Sequence, residues 1–168
     1  MKFKALVLAS SIGLSLFSAA SFAGDPDIAT ATVLWKGVVG GIINGQQIKI
    51  TGANGGAIDN GTLTVNSDGT FTSSAVDLEA HEVTPGSNLT LTNTDWTLVK
   101  SSVYVDGQAA NEAKLVVKDL LQTQELTVDK AITGSSLRLT VENDAAITAV
   151  TLDNQVEVAV TVQASLTV

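Results

Sequence analysis

Apolar and polar residues alternate along most of this chain, and residues that favour turns break the alternation at short intervals. Alternation at period 2, in segments rich in Val, Thr, Leu and Ile, predicts β-strands with one face buried. The segments are 48–51, 62–66, 70–73, 76–83, 88–92, 96–105, 125–128, 136–142, 146–152 and 156–168. Asn44-Gly45, Asn54-Gly55-Gly56, Asp59-Asn60-Gly61, Ser67-Asp68-Gly69, Pro85-Gly86 and Asp106-Gly107 supply the residues that tight turns require. Segments 62–66 and 70–73 flank Ser67-Asp68-Gly69 and predict a hairpin. Only 109–121 is ambiguous. There Ala113, Val116, Val117, Leu120 and Leu121 recur at helical spacing, yet residues 114–118 also read as a strand with charged ends. We expect a strand or short helix crossing one edge of the sheet.

The last segment is the longest. Val156, Val158, Val160, Val162, Ala164, Leu166 and Val168 fall on one face of an extended strand, with Glu157, Ala159, Thr161, Gln163, Ser165 and Thr167 on the other. At roughly 3.3 Å per residue it spans about 40 Å, against a usual strand of about 5–6 residues. Near the other end Ala29, Ala31, Val33 and Trp35 alternate with Ile28, Thr30, Thr32, Leu34 and Lys36. Gly37, Gly40 and Gly41 follow and interrupt the strand, either as a joint between an extension and a domain or as a bend after an ordinary first strand.

Before these strands, Lys2 and Lys4 precede an apolar run over 5–17 and small residues ending at Ala23. Such a basic, apolar and then small-residue order predicts a secretory signal peptide, 1–23, removed on export. No later apolar run reaches about 18 residues, so no membrane-inserted helix is expected. Of 9 Lys+Arg, two leave with the leader, so 7 stand against 17 Asp+Glu, a formal net charge of −10. That acidity disfavours nucleic acid and anionic membrane surfaces as partners. There is no cysteine, so stability rests on burial and on the hydrogen-bond ladder.

The chemistry-bearing residues do not assemble into a recognisable catalytic pattern. His81 stands alone in Glu79-Ala80-His81-Glu82, with no second imidazole or thiolate to complete a zinc site, and is expected on an exposed strand or loop. Asp59-Asn60-Gly61 and Ser67-Asp68-Gly69 lack the alternating acidic ligands of a calcium loop and read as turns. No Gly-x-Ser-x-Gly elbow and no phosphate-binding glycine loop occurs. We expect no enzyme, no catalytic residue, no metal and no cofactor. Trp96 and Tyr104, eight apart, have the parity to share a strand face, as core packing or as a sugar-stacking platform.

The signal peptide, the cysteine-free all-β chain, the alternating segment Ile28-Ala29-Thr30-Ala31-Thr32-Val33-Leu34-Trp35 and the closing strand 156–168 together resemble a chaperone–usher fimbrial subunit. The chain is most similar to the cysteine-free alpha-type and common-pilus major subunits, although Thr167 stands where many such subunits carry an aromatic. The resemblance implies an immunoglobulin-like β-sandwich, incomplete and completed by donor-strand exchange. Residues 24–37 would be the donor extension and 38–168 the sandwich domain. Ala29, Ala31, Val33 and Trp35 would be donor residues, and Val156, Val158, Val160, Val162, Ala164, Leu166 and Val168 would line the acceptor groove. Implied partners are identical subunits joined head to tail, a periplasmic chaperone, an outer-membrane usher and a host-surface receptor. The place is the cell surface, and the role is structural, supporting adhesion and biofilm formation. Two alternatives are a carbohydrate-binding adhesin and a self-contained β-sandwich of a biofilm matrix, which keeps its N-terminal strand in its own domain.

Overall fold

The computed structural model describes residues 27–35, 42, 43, 45, 47–83, 89–148, 150, 151 and 153–166. Nearly all regular structure among them is β, arranged as two antiparallel sheets. The first sheet contains β1 (Asp27–Leu34), β2 (Ile42–Ile43), β8 (Thr94–Val105), β9 (Gln108–Ala109), β12 (Ile132–Gly134) and β14 (Val156–Leu166). Its order is β12-β8-β14-β1-β2, with β9 also on β8. The second contains β3 (Ile48–Thr51), β4 (Leu63–Val65), β5 (Phe71–Ser73), β6 (Val76–Glu82), β7 (Thr90–Leu91), β10 (Leu115–Asp119), β11 (Gln124–Glu125) and β13 (Ser136–Asn143). Here β13 lies between β10 on one side and β6 and β5 on the other, and β6 also pairs β3 and β7.

The alternation explains the packing. Leu137, Leu139 and Val141 of β13, Leu78 and Ala80 of β6, and Ile48 and Ile50 of β3 are buried, as are Val158, Val160, Val162 and Ala164 of β14. Both sheets feed one core cluster, which also takes in Trp35, Phe71 and Trp96. A fully buried side chain of this size stabilises the fold by about 1.5–3 kcal/mol relative to exposure. Two turns close hairpins as their residue types demand. Asp106 and Gly107 both have positive φ, 49° and 78°, between β8 and β9, and Gly69, at φ 80°, serves the hairpin of β4 and β5.

Strand directions define two ends. β14 runs from Val156 to Leu166, and β8 and β1 run against it. β12 returns against β8 and finishes at Gly134, so β13, starting at Ser136, begins at the Leu166 end. β6 and β10, antiparallel to β13, therefore finish at that end, and β3, antiparallel to β6, starts there. β1 and β3 thus run the same way, from the Leu166 end to the Val156 end.

The choice left open over 109–121 falls to a strand, Leu115–Asp119, paired with β13. Several other expectations are corrected. Segment 146–152 is not a strand where it is described. Ile147 is instead buried against the β4–β5 turn, its N–H donating to the Gly69 carbonyl at 3.3 Å. Trp96 and Tyr104 do not share a face. Thr161 pairs with Lys100 and Val162 with Leu98, so Val99 is an extra residue, a β-bulge that reverses the parity of β8. Trp96 is buried opposite Ala164, and Tyr104 stands opposite Glu157 on the other face. His81 is not exposed. It lies buried beside Glu79, because the Ala53–Gly55 turn is drawn over that face by the Gly55 N–H, which donates to the Glu79 carboxylate at 3.0 Å.

Candidate functional site

The pairing of the first and last strands is where the predicted donor and acceptor residues meet. β1 lies antiparallel beside β14 over its whole length, and its other neighbour, β2, covers only Thr30 and Ala31. In register, Ala29 stands opposite Ala164, Ala31 opposite Val162 and Val33 opposite Val160. Together with Val158 these are the β14 positions with no exposure, so the alternation of the two segments, read separately, meets in one register. A slip of one residue would set β1 out of phase with the buried row. The edge of β14 that the resemblance leaves open for another molecule is therefore occupied by this chain's own N-terminal strand. β14 is an interior strand, with β8 along its other side.

Trp35 continues the pairing past the end of β1. Its main-chain N–H donates to the Val158 carbonyl at 3.0 Å, and its indole N–H donates to the Ser74 carbonyl at 3.1 Å. The ring is 1% exposed. Gly61 makes room for it, since a Cβ there would stand 2.2 Å from Cδ1 and Nε1 of the indole. Of the predicted acceptor row, Val158, Val160, Val162 and Ala164 are buried, Val156 and Leu166 are partly buried and pack against the core, and Val168 lies outside the described residues. Residues 1–26, with the predicted signal peptide and the start of the 24–37 extension, also lie outside them.

Sequence reasoning missed the polar groups that brace this body. Asp119 is fully buried, and its carboxylate accepts N–H groups from Leu121 at 3.2 Å, Gln122 at 3.0 Å and Arg138 at 2.8 Å. Asn143 accepts the Phe71 N–H at 2.6 Å and donates to the carbonyls of Gly69 and Ala145 at 3.0 and 2.6 Å. Glu79 joins Gly55 and His81, whose Nε2 lies 3.0 Å from its carboxylate. Burial raises the Glu79 carboxyl, but the N–H groups of Asn54 and Gly55 and the His81 bond outweigh it and hold the group below its usual 4.5. Asp–turn and Glu–His spacings are the only local signals for these roles, and both are common in ordinary strands.

Among the described residues, no group of three or more His, Cys, Asp or Glu side chains is placed to hold a metal, and no helix is long and apolar enough to cross a membrane. No protein-family model, no curated protein and no solved structure matches this chain.

Proposed function

We propose that this protein is an exported structural subunit, without enzymatic activity, that polymerises head to tail by donating β1 to the β14 edge of the next copy. The fibre is a surface fimbria serving adhesion and biofilm formation. The body is an immunoglobulin-like sandwich whose last position is filled by a donor strand, supplied by the chain itself or by a neighbour. The observation that carries this reading is the isolation of β1. It is bonded along its full length to β14 alone, with β2 on only Thr30 and Ala31, and it leads into the rest of the body through a stretch bearing Gly37, Gly40 and Gly41. An element held in that way makes the same contacts in a neighbour as in its own chain, which is the condition for exchange. Main-chain bonds supply strength and the alternate residues supply register. A periplasmic chaperone holds the edge before exchange, and an outer-membrane usher orders it.

A second reading has a specific observation in its favour: the closure of β1 on its own β14 suits a self-contained body of an extracellular matrix. The adhesin reading loses its aromatic platform to the bulge in β8. One experiment separates the first two. Because Trp35 donates to Val158 directly opposite, alternation along the ladder makes Thr32 and Thr161 a non-hydrogen-bonded pair. Such a pair sits at about 4.5 Å between Cα atoms, within disulfide reach. Thr32→Cys with Thr161→Cys, in a chain that has no cysteine of its own, gives covalent multimers after oxidation and boiling when β1 is exchanged. A product made only of internally bridged monomer refutes polymerisation by exchange.

A further inference from the structure

Two of the Asn–Gly steps that read as turns lie wholly among the described residues, and the structure uses them differently. Asn54 has the left-handed φ of 56°, and the Gly55 N–H donates to the Glu79 carboxylate at 3.0 Å. At Asn60-Gly61 the glycine has no positive φ. It is buried, and a Cβ on it would stand 2.2 Å from the Trp35 ring, so the indole, and not a turn, is what demands a glycine there. Asn60 beside it is exposed, in a stretch, 56–61, that is neither helix nor strand. Among the described residues nothing hydrogen-bonds its side-chain amide or the Gly61 N–H.

An asparagine closes on the following residue when that residue's N–H is free and no side chain blocks its approach. The deprotonated Gly61 nitrogen attacks Asn60 Cγ and forms a C–N bond, and the side-chain nitrogen departs as ammonia, taking up through solvent the proton that Gly61 lost. Water then adds to either carbonyl of the cyclic imide and opens it, leaving aspartate or isoaspartate at position 60. Water is the sole co-reactant. At Asn54 the same closure requires the Gly55 N–H to leave an ionised acceptor, which slows it by about tenfold or more. Isoaspartate routes the main chain through Cβ and lengthens it by one atom. Beyond Gly61 the chain is pinned: the Thr62 N–H donates to the Ser74 hydroxyl and the Ser74 N–H to the Thr62 carbonyl, both at 2.9 Å, while the Ser74 carbonyl holds the indole N–H of Trp35. The added atom therefore displaces Gly61. Toward the ring there is no room, and away from it a gap is left.

We propose that Asn60 is a site of spontaneous deamidation whose isoaspartate product loosens Trp35, and with it the end of the β1–β14 pairing, as a chemical clock built into the body. The contact is the same whether β1 closes on its own chain or on a neighbour, so the proposal stands apart from exchange. The test ages the purified protein in mildly alkaline buffer, maps amide loss by mass spectrometry and follows acrylamide quenching of tryptophan fluorescence. Asn60 is expected to convert about tenfold faster than Asn54. Quenching rises in step with isoaspartate, and Trp96, fully buried in the core, supplies the constant background. Asn60→Gln, at an exposed position whose side chain makes no hydrogen bond, keeps its quenching under the same treatment. Asn60 staying an amide, or converting no faster than Asn54, overturns the site. Isoaspartate at position 60 with quenching no higher than in aged Asn60→Gln overturns the coupling to Trp35.

Discussion

Replacing Trp35 with Ala removes the anchor at the junction between the N-terminal strand and the body. A Trp buries on the order of 200 Å², and at about 25 cal/mol per Å² that is roughly 5 kcal/mol. Trp→Ala changes in cores cost about 3–5 kcal/mol. The Ser74 carbonyl loses its indole donor, but Ser74 is exposed and water replaces the bond, so that loss adds no more than about 1 kcal/mol. We expect a total of about 4 kcal/mol, which for a chain of this length lowers Tm by roughly 8–16 °C. Trp35→Phe keeps most of the buried area and costs about 1–2 kcal/mol. The assay is thermal unfolding of purified monomer by circular dichroism. Trp96 remains the sole indole in both variants and reports the core by fluorescence. A Trp35→Ala monomer melting within about 2 °C of the natural chain refutes the docking of Trp35 in its own body. The same substitution dissolving oligomers at unchanged monomer Tm places that docking in a neighbour.

Gly61→Ala drives a Cβ to 2.2 Å from the Trp35 ring, so the natural background loses about 1–3 kcal/mol, while in the Trp35→Ala background the substitution is close to neutral; a double-mutant cycle by urea unfolding measures the coupling, and simple additivity contradicts the contact. Glu79, held below its usual 4.5 by the N–H groups of the Ala53–Gly55 turn and by His81, contributes stability that is present above that value and is lost as pH falls through the lower, folded one. The difference in urea midpoint between the natural chain and Glu79→Gln should therefore be largest near neutral pH and shrink below about 4.5, and a difference constant from pH 7 to 3 would remove Glu79 from that role.

What was legible in the chain follows from how far each signal reaches. The alternation of Val156 to Leu166 is carried by an uninterrupted run, so its buried face could be assigned residue by residue, and the alternation of Ala29, Ala31 and Val33 marked a strand, which pairs with it in register. The hairpin of β4 and β5 was carried by Ser67-Asp68-Gly69, where Gly69 takes the positive φ that the turn needs. β2, β9 and β12 are two or three residues long and fall below any window in which period 2 can be counted.

The Trp35–Gly61 contact, the burial of His81 and the packing of Ile147 against Gly69 each join residues far apart in the chain or depend on a distant turn, and no local pattern encodes them. Nothing distinctive in the sequence marked Asp119, because its donors are main-chain groups that come together only once the turn and β13 are in place. The bulge in β8 is a different case. Its apolar positions sit at even numbers at Trp96 and Leu98 and at odd numbers at Val103 and Val105, and that change of parity inside one strand is itself the mark of an inserted residue. Counting Trp96 and Tyr104 as one face treated the strand as regular across the point where its own hydrophobic row changes side. The exposed Val99 is the residue that absorbs the shift.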